Sequence, residues 1–267
     1  RTVLPSFLRA AAKARLAACT NKGEPDMEES LERLKDIIEK TDNIVFFGGA
    51  GVSTESGIPD FRSVDGLYNQ KYDYPPETIL SHSFFERNPE EFYRFYRSKM
   101  LFPQARPNAA HWKLAELEAA GKLTAVVTQN IDGLHQMAGS REVLELHGSV
   151  HRNHCMKCRR FYGLDFLLET GGVPRCPACG GVVKPDVVLY EECLDETTME
   201  GAVEAIAGAD MLIIGGTSLA VYPAAGLIRY YRGNRLALIN KSATPYDREA
   251  GLVINASLGE VLGAVRV

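Results

Sequence analysis

A short apolar run that ends in a cluster of glycines, residues 43–51, constrains the fold more than any other feature of this sequence. Asn43 to Phe47 is rich in β-branched and aromatic residues, which is typical of a buried strand, and Gly48, Gly49 and Gly51 follow directly. Glycines at the carboxyl end of a strand let the backbone approach a phosphate closely. The cluster therefore predicts either a nucleotide site or a plain Gly-rich turn, and alone it does not decide between them.

The glycine cluster does not match the dinucleotide-binding fingerprint of dehydrogenases. In the pattern G-x-G-x-x-G the third glycine would fall at Thr54. No acidic residue clearly ends a strand about 20 residues later, where that fingerprint places its ribose ligand. A hydride-transferring dehydrogenase is therefore kept only as an alternative, which free nicotinamide among the products would exclude.

Strand-like and helix-like segments alternate along most of the chain. Apolar residues recur at helical spacing in residues 27–40, and asparagine caps predict helices that start at Asn88 and Asn108. Further helices are predicted at 195–207, at 223–231 and after a capping box at 257–260, and further buried strands at 123–128, 143–146, 187–190, 211–215, 236–240 and 252–255. This alternation predicts an α/β fold with a doubly wound, Rossmann-like parallel sheet.

Four of the six cysteines form two Cys-x-x-Cys pairs, Cys155 with Cys158 and Cys176 with Cys179, and 17 residues separate the pairs. This spacing is typical of a four-cysteine zinc site, in which four thiolates complete a tetrahedron and leave no position for a catalytic water. The sequence therefore predicts one structural zinc ion rather than a disulfide scaffold.

The length of 267 residues suits one large domain with a smaller inserted domain. Residues 64–87 show no sustained period and predict irregular structure near the ligand. We divide the chain into a segment outside the core (1–26), three parts of a Rossmann-like domain (27–68, 104–150 and 186–267), a helical part of the small domain (69–103) and a zinc-binding module (151–185).

Composition argues against several classes of protein. The formal charge is −4, whereas general nucleic-acid binders usually show a strong basic excess. No apolar run approaches the roughly 18 residues of a membrane span. We expect a monomeric, cytoplasmic protein that binds neither membranes nor nucleic acids directly. A zinc-ribbon module that binds nucleic acid is kept as an alternative, and it predicts binding that depends strongly on salt.

The N-terminal segment differs from the rest of the chain. Residues 1–25 carry five Lys or Arg against one acidic residue and are rich in alanine. This is the composition of a transit peptide, but a remnant of upstream sequence explains it equally well. We exclude the segment from the fold and expect the folded part to begin at Met27.

The residues after the glycine cluster resemble the signature of the sirtuins, the NAD-dependent protein deacylases. The first match is Ser53 followed by the run from Gly57 to Arg62, GIPDFR. In the family's order, the resemblance continues through TQNIDGLH (128–135), ELHG (145–148), the two cysteine pairs, GTSL (216–219), VYPAA (221–225) and Asn240. It covers roughly residues 27–267.

The resemblance implies that NAD is consumed as a substrate and is held at the carboxyl ends of the strands, where ligands of such sheets bind. Asn130 and Asp132 are implied to contact the nicotinamide and its ribose, and Ser218 and Asn240 the phosphates and the adenosine ribose. The implied cofactor-binding residues are Gly49, Ala50, Gly51, Ser53, Asp60, Phe61, Arg62, Gln129, Asn130, Ile131, Asp132, Gly216, Thr217, Ser218 and Asn240.

His147 is the candidate general base. A lone histidine at a strand end is more often structural, but the resemblance implies that this one accepts a proton from a ribose hydroxyl. The implied catalytic set is His147, Asn130 and Asp132. The implied reaction moves an acyl group from lysine to ADP-ribose through an alkylimidate and releases nicotinamide. An NAD-dependent protein ADP-ribosyltransferase is kept as an alternative, because it also releases nicotinamide.

The implied second substrate is an acyl-lysine protein or peptide that enters between the large domain and the small domain. Its implied walls are Val187, Val188, Leu189, Val221 and Tyr222. The family often has Phe-Gly-Glu where this chain has Tyr-Glu-Glu at 190–192. That difference leaves the side-chain preference around the peptide open.

The helix predicted at 88–100 corresponds to the helix that lines the acyl pocket in the family, so its residues bear on which acyl group is accepted. In the branch of the family that removes succinyl and malonyl groups, a Tyr-x-x-Arg pair on this helix binds the acyl carboxylate. Our alignment places Tyr96 and Lys99 at the two positions. Because an ammonium lacks the planar fork that grips a carboxylate with two bonds, we expect acetyl-lysine to be the better substrate.

Overall fold

The structure, a computed structural model, describes residues 26–61, 66–67 and 74–266, so most of the N-terminal segment lies outside the described residues. Its helices are α1 (Met27–Glu39), α2 (Pro76–Ile79), α3 (His82–Arg87), α4 (Pro89–Lys99), α5 (Ala109–Ala119), α6 (Leu134–Ala138), α7 (Leu164–Glu169), α8 (Glu196–Gly208) and α9 (Leu258–Ala264). Its strands are β1 (Ile44–Gly48), β2 (Leu123–Thr128), β3 (Val143–Glu145), β4 (Gly148–Cys155), β5 (Phe161–Tyr162), β6 (Val183–Val187), β7 (Met211–Gly215), β8 (Arg235–Ile239) and β9 (Leu252–Ile254). Short 3-10 helices lie at Ala50–Val52, Thr54–Ser56 and Ala224–Tyr230.

The large sheet has six parallel strands in the order β3-β2-β1-β7-β8-β9. The chain winds outward from β1 to β3 and then, on the other side of β1, from β7 to β9. The direction of winding therefore changes between β1 and β7, which is where a doubly wound sheet opens a ligand crevice at its carboxyl edge. The predicted fold class is confirmed.

Both faces of the large sheet are buried. Phe46 belongs to an apolar cluster with residues of α1, α5 and α9, whereas Phe47 belongs to a cluster on the other face with residues of α8. A strand that is buried on both faces has a continuous apolar sequence, so β1 could be recognised from its residues alone. Among the described residues, no helix has both the length and the apolar character needed to cross a membrane.

A smaller antiparallel sheet, in the order β5-β4-β6, lies in a third apolar cluster with α2, α3, α4 and α7. The cluster includes Phe92, Tyr93 and Tyr96 of α4, and the Tyr93 hydroxyl donates a hydrogen bond to the Val183 carbonyl oxygen at 2.5 Å. Helix α4 is therefore fixed to the strand β6.

Two predictions of local structure are wrong, and a third is right in position but differs in the type of helix. The strand expected at 187–190 is β6, which begins at Val183, ends at Val187 and belongs to the small antiparallel sheet. The stretch 64–87, expected to be irregular, contains α2 and α3. The helix expected at 223–231 is a 3-10 helix. In each case tertiary contacts override a weak local pattern.

Two helices are capped by the residue that precedes them, whereas α9 is capped by a residue that is distant in the sequence. The side chains of Asn88 and Asn108 accept hydrogen bonds from backbone N–H groups of α4 and α5, as predicted. The capping box predicted at Ser257 does not form; instead, the Glu55 carboxylate accepts a hydrogen bond from the Gly259 N–H at 2.7 Å. This partner lies 204 residues away in the chain, so no local pattern could reveal it.

Gly148 opens β4 immediately after His147, and its backbone has a φ of +75°. A Cβ atom there would lie 1.9 Å from the Asp186 carbonyl oxygen on β6. We expect Gly148→Ala to force β4 away from β6 and to lower the free energy of unfolding by about 2 kcal/mol or more, with a loss of activity. Urea denaturation measures the change. Gly171→Ala is the control, because no atom lies within 4 Å of the added Cβ; an equal loss in both variants would contradict the steric explanation.

Candidate active site

The carboxyl ends of β1, β2, β7 and β8 open onto one cleft of about 990 Å³ between the large sheet and the small sheet. Most of the candidate site residues line it, although they are far apart in the sequence. The residues concerned are Gly49, Ala50, Gly51, Ser53, Asp60, Phe61, Lys99, Gln129, Asn130, Ile131, Asp132, His147, Val187, Val188, Leu189, Gly216, Thr217, Ser218, Val221, Tyr222 and Asn240.

The loop after β1 and the loop after β7 touch at their glycines. The Gly51 N–H donates a hydrogen bond to the Gly216 carbonyl oxygen at 2.8 Å, and a Cβ at Gly51 would lie 2.8 Å from the same oxygen. Gly216 has a φ of +60°, and a Cβ there would lie 2.4 Å from the Val52 nitrogen. The two glycines therefore bring the loops after β1 and β7 together, and no larger residue fits at either position.

Ser53, Asn130 and Asp132 form a hydrogen-bonded cluster at one wall of the cleft. The Ser53 hydroxyl donates to the Asp132 carboxylate at 2.7 Å and accepts from the Asn130 amide at 3.0 Å. The other Asp132 oxygen accepts from the Leu134 N–H at 2.9 Å, at the start of α6. Because these groups fix one another, the amide and the carboxylate are positioned before any ligand binds.

The hydroxyls of Ser53 and Thr54 make hydrogen bonds within the site and do not cap a helix. Ser53 is engaged with Asp132, and the Thr54 hydroxyl donates to the Gly51 carbonyl oxygen at 3.0 Å. Neither 3-10 helix in this loop has a side-chain cap. The two hydroxyls stabilise the loop itself.

Gln129 connects three parts of the site. Its backbone N–H donates to the Gly48 carbonyl oxygen at 3.0 Å, and its side-chain amide donates to the Thr217 hydroxyl at 3.1 Å. Its own carbonyl oxygen accepts a hydrogen bond from Nδ1 of His147 at 2.9 Å. The β2 loop therefore links the glycine loops to the candidate base.

The bond from Nδ1 to the Gln129 carbonyl fixes the tautomer of His147, because a carbonyl oxygen accepts only and Nδ1 must carry the proton. Nε2 is left as an acceptor. Burial lowers the pKa of His147 from 6.5, opposed by its bond to the Gln129 carbonyl. The imidazole is therefore neutral near pH 7 and able to take up a proton.

One described candidate residue, Tyr96, does not line the cleft. Tyr96 is fully buried in the apolar cluster of the small domain, where its ring stacks on Phe92, and it does not line the cleft. Helical geometry turns Lys99 toward the cleft instead. The expectation that Tyr96 and Lys99 both contact the acyl group is therefore corrected. Arg62, a candidate cofactor-binding residue, lies outside the described residues.

Two residues at the site were missed by sequence reasoning. His151 lines the cleft, and its Nε2 donates to the Asp132 carbonyl oxygen at 3.0 Å. The Asn108 side chain donates to the Val52 carbonyl oxygen at 2.8 Å and to the Ser56 hydroxyl at 3.0 Å, so α5 supports the glycine loop. Asn108 was recognised only as a helix cap, because nothing local indicates its second role.

The four predicted zinc ligands lie together in the small domain. The Sγ atoms of Cys155 and Cys179 are 3.4 Å apart and those of Cys158 and Cys176 are 3.7 Å apart, with the four sulfurs within 4.8 Å of one another. Tetrahedral zinc with bonds of about 2.3 Å places its sulfurs roughly 3.8 Å apart, so the set fits zinc. None of the four cysteines lines the cleft, which supports a structural role.

Comparisons with known proteins agree with this geometry. The model of the Sir2 family matches residues 49–223. An NAD-dependent protein deacetylase of Clostridium perfringens is 63% identical over 242 residues, which cover 90% of this chain and 99% of that protein. The deacetylase of Cutibacterium acnes is 56% identical, over 88% of this chain and 97% of that protein.

Solved structures of Sir2 enzymes share the fold. One, described in a study of the mechanism and regulation of Sir2 enzymes, superposes with a TM-score of 0.80 at 43% identity and covers 88% of this chain and 96% of its own. A second, Sir2 with a p53 peptide and NAD+, gives a TM-score of 0.77 at 39% identity over 87% and 95% of the two chains. On its motifs, its fold and these relatives, the chain belongs to the Sir2 family.

Proposed function

We propose that the protein removes acetyl groups from lysine side chains of proteins, consumes NAD, and releases nicotinamide and O-acetyl-ADP-ribose. The observation that carries the proposal is the state of His147. A neutral imidazole with its free Nε2 lies in the same cleft as the hydrogen-bonded Asn130 and Asp132. The relatives named NAD-dependent protein deacetylase support the same reaction.

The cleft suits NAD as the consumed substrate. The contact between Gly51 and Gly216 removes side chains from the phosphate side, and Ser218 and Asn240 lie at the ends of neighbouring strands. When bound, NAD supplies the ribose carbon to which the acyl oxygen is transferred as nicotinamide leaves. Asn130 and Asp132 orient the nicotinamide ribose, because their hydrogen bonds through Ser53 hold both side chains in place.

In this proposal, His147 accepts the proton that leaves a ribose hydroxyl. Its Nδ1 is bound to the Gln129 carbonyl, so only Nε2 accepts. Burial lowers the pKa of His147, which keeps the side chain neutral near pH 7. Deprotonation of the hydroxyl lets its oxygen attack the acyl carbon. The bond from that carbon to the lysine nitrogen then breaks as the nitrogen takes up a proton, and one water molecule completes free lysine and O-acetyl-ADP-ribose.

The acyl-lysine peptide binds between the two domains in this proposal. Val187, Val188 and Leu189 line the cleft on one side and Val221 and Tyr222 on the other. An extended peptide there gains backbone hydrogen bonds, which give affinity without a strict sequence requirement.

Product analysis tests the proposed reaction. The protein is incubated with NAD and an acetyl-lysine peptide, and the products are measured by mass spectrometry. Free lysine peptide together with O-acetyl-ADP-ribose is the expected result. A peptide that gains ADP-ribose would instead indicate the ADP-ribosyltransferase, and formation of NADH would indicate a dehydrogenase.

We also propose that acetyl-lysine is preferred over succinyl-lysine. Tyr96 is buried away from the cleft, and Lys99 alone offers no bidentate partner for an acyl carboxylate. We expect kcat/KM to be at least about tenfold higher for the acetyl form of one peptide, the factor that one good hydrogen bond to a charged group provides. Steady-state kinetics with both peptides measures the ratio; a preference for the succinyl peptide would contradict it.

We further propose that the protein acts as a monomer in the cytoplasm. Four zinc-binding thiolates need a compartment that keeps cysteines reduced. Light scattering on a size-exclusion column tests the first statement, and fractionation of the source cells tests the second.

A further inference from the structure

The peptide side of the cleft ends in two adjacent carboxylates, Glu191 and Glu192, which both line it. They follow Val187, Val188 and Leu189, the wall assigned above to the peptide backbone. If the peptide binds along this wall as proposed, a charged group here lies beside the residues that flank the acyl-lysine. The two glutamates differ, however, in how the protein neutralises them.

Glu192 is neutralised by the protein. One carboxylate oxygen accepts from the Leu189 N–H at 2.9 Å and from the Lys184 ammonium at 3.1 Å, and the other lies 2.8 Å from Nδ1 of His82. These three partners satisfy its charge, and through His82 the carboxylate holds the wall of the cleft to α3.

Glu191 has no such partner. Its two carboxylate oxygens accept from the N–H and the hydroxyl of Ser83, at 2.9 Å and 3.1 Å. Arg87 donates to the carbonyl oxygen of Ser83 and reaches its hydroxyl at 3.5 Å. Among residues 26–61, 66–67 and 74–266, no Lys, Arg or His forms an ion pair with Glu191. Its negative charge therefore remains available at the rim of the cleft.

The backbone also fixes the position of this charge. Glu191 has a φ of +74°, in the left-handed region that favours glycine. Neighbouring hydrogen bonds tie the segment down, because the Tyr190 N–H donates to the Leu80 carbonyl and the His82 N–H donates to the Tyr190 carbonyl. The side chain is exposed but held at one place by the backbone and by Ser83.

We infer that Glu191 is a specificity-determining residue, which favours acyl-lysine peptides that carry Lys or Arg close to the modified lysine. The inference rests on the proposed deacetylase function. A cation on the peptide supplies the partner that the protein does not give to Glu191, while the neutralised Glu192 contributes little to the preference. An acidic residue at the same peptide position meets the unpaired carboxylate and is disfavoured.

The test uses a set of acetyl-lysine peptides that are identical except for Lys, Ala or Glu, placed in turn at each of the two positions on either side of the modified lysine. At one or more positions we expect kcat/KM to be highest for the Lys peptide, lower for the Ala peptide and lowest for the Glu peptide. Each step should be roughly two- to fivefold, which is the size of the effect of an exposed ion pair. In Glu191→Gln, which keeps the acceptor for the Ser83 N–H, the ranking should collapse. The preference of the unmodified protein should also weaken at high salt.

Glu204→Gln is the matched control, because it removes one exposed carboxylate on α8 away from the cleft, and its ranking should stay unchanged. Glu191→Gly removes the charge while suiting the left-handed backbone, so it tests the charge even if the glutamine variant folds poorly. An unchanged ranking in either Glu191 variant, or no ranking in the unmodified protein, would overturn the inference. Failure to deacetylate every peptide would contradict the proposed function, whereas turnover of all peptides at equal rates contradicts the role of Glu191 alone.

Discussion

Replacing His147 by alanine should abolish deacetylation while leaving NAD binding largely intact. The side chain is the proposed base in the cleft, with Nδ1 held by the Gln129 carbonyl and Nε2 left as an acceptor. A positioned general base typically contributes about 10²- to 10⁴-fold to the rate, so a fall in kcat of at least about a hundredfold is expected. The side-chain hydrogen bond that the structure describes for His147 goes to the Gln129 carbonyl and not to the glycines after β1 and β7.

Two measurements separate the loss of the base from a general loss of structure. In the presence of acetyl peptide, exchange of labelled nicotinamide into NAD should persist in the variant, because the bond to nicotinamide breaks before the base is used. The midpoint of thermal unfolding should stay close to that of the unmodified protein. Unchanged turnover would dismiss the role of His147, and loss of exchange together with turnover would assign it to substrate binding.

The pH dependence of the unmodified protein provides an independent check. The imidazole must be neutral to accept a proton, and burial places its pKa below 6.5. As pH falls through the pKa, protonation removes the base and kcat/KM declines, so the acid limb should have its midpoint below pH 6.5. A midpoint above 6.5 would require a stabilised imidazolium and would contradict a half-buried, neutral His147.

The features that could be predicted from the sequence are those that depend on local residues. Strands of the parallel sheet are buried on both faces, so β1, β2 and β7 stand out as apolar runs with almost correct ends. Asn88 and Asn108 cap helices that begin at the next residue. The four zinc ligands could be predicted because the spacing within and between the two cysteine pairs is itself typical of a zinc site.

The features that escaped prediction depend on partners far away in the chain. β4 alternates irregularly between buried and exposed residues. β6 alternates regularly, but Lys184, Pro185 and Asp186 stand between its two valines, and such residues are unusual in strands. The carboxylate that caps α9 comes from Glu55, in the glycine loop. His151 enters the site only because β4 brings it beside the Asp132 carbonyl. Contacts of this kind become visible only once the two sheets have been placed together.

Replacing Cys155 by serine should cause the loss of both the metal and the fold of the small domain. Serine lacks the thiolate that completes the four-cysteine set, and structural zinc binding is itself a source of folding free energy. We expect a loss of about 3 kcal/mol or more, which lowers the unfolding midpoint by roughly 6 to 12 °C for a protein of this size. Metal analysis and thermal unfolding measure the two effects. Cys193→Ser is the control, because Cys193 is exposed and outside the cluster.

The loss of zinc in Cys155→Ser should also disturb the active site, through the strands β4 and β6. Cys155 pairs with Val183 at one end of these strands, and Gly148 pairs with Val187 at the other, next to His147. Loss of the metal frees the first end, so the base and the peptide wall lose their common support. We expect hydrogen exchange to increase across 148–187 while β1 and β7 stay protected, and kcat/KM for the peptide to fall with the metal content. A variant that lost zinc but kept full stability and activity would refute the structural role of the metal.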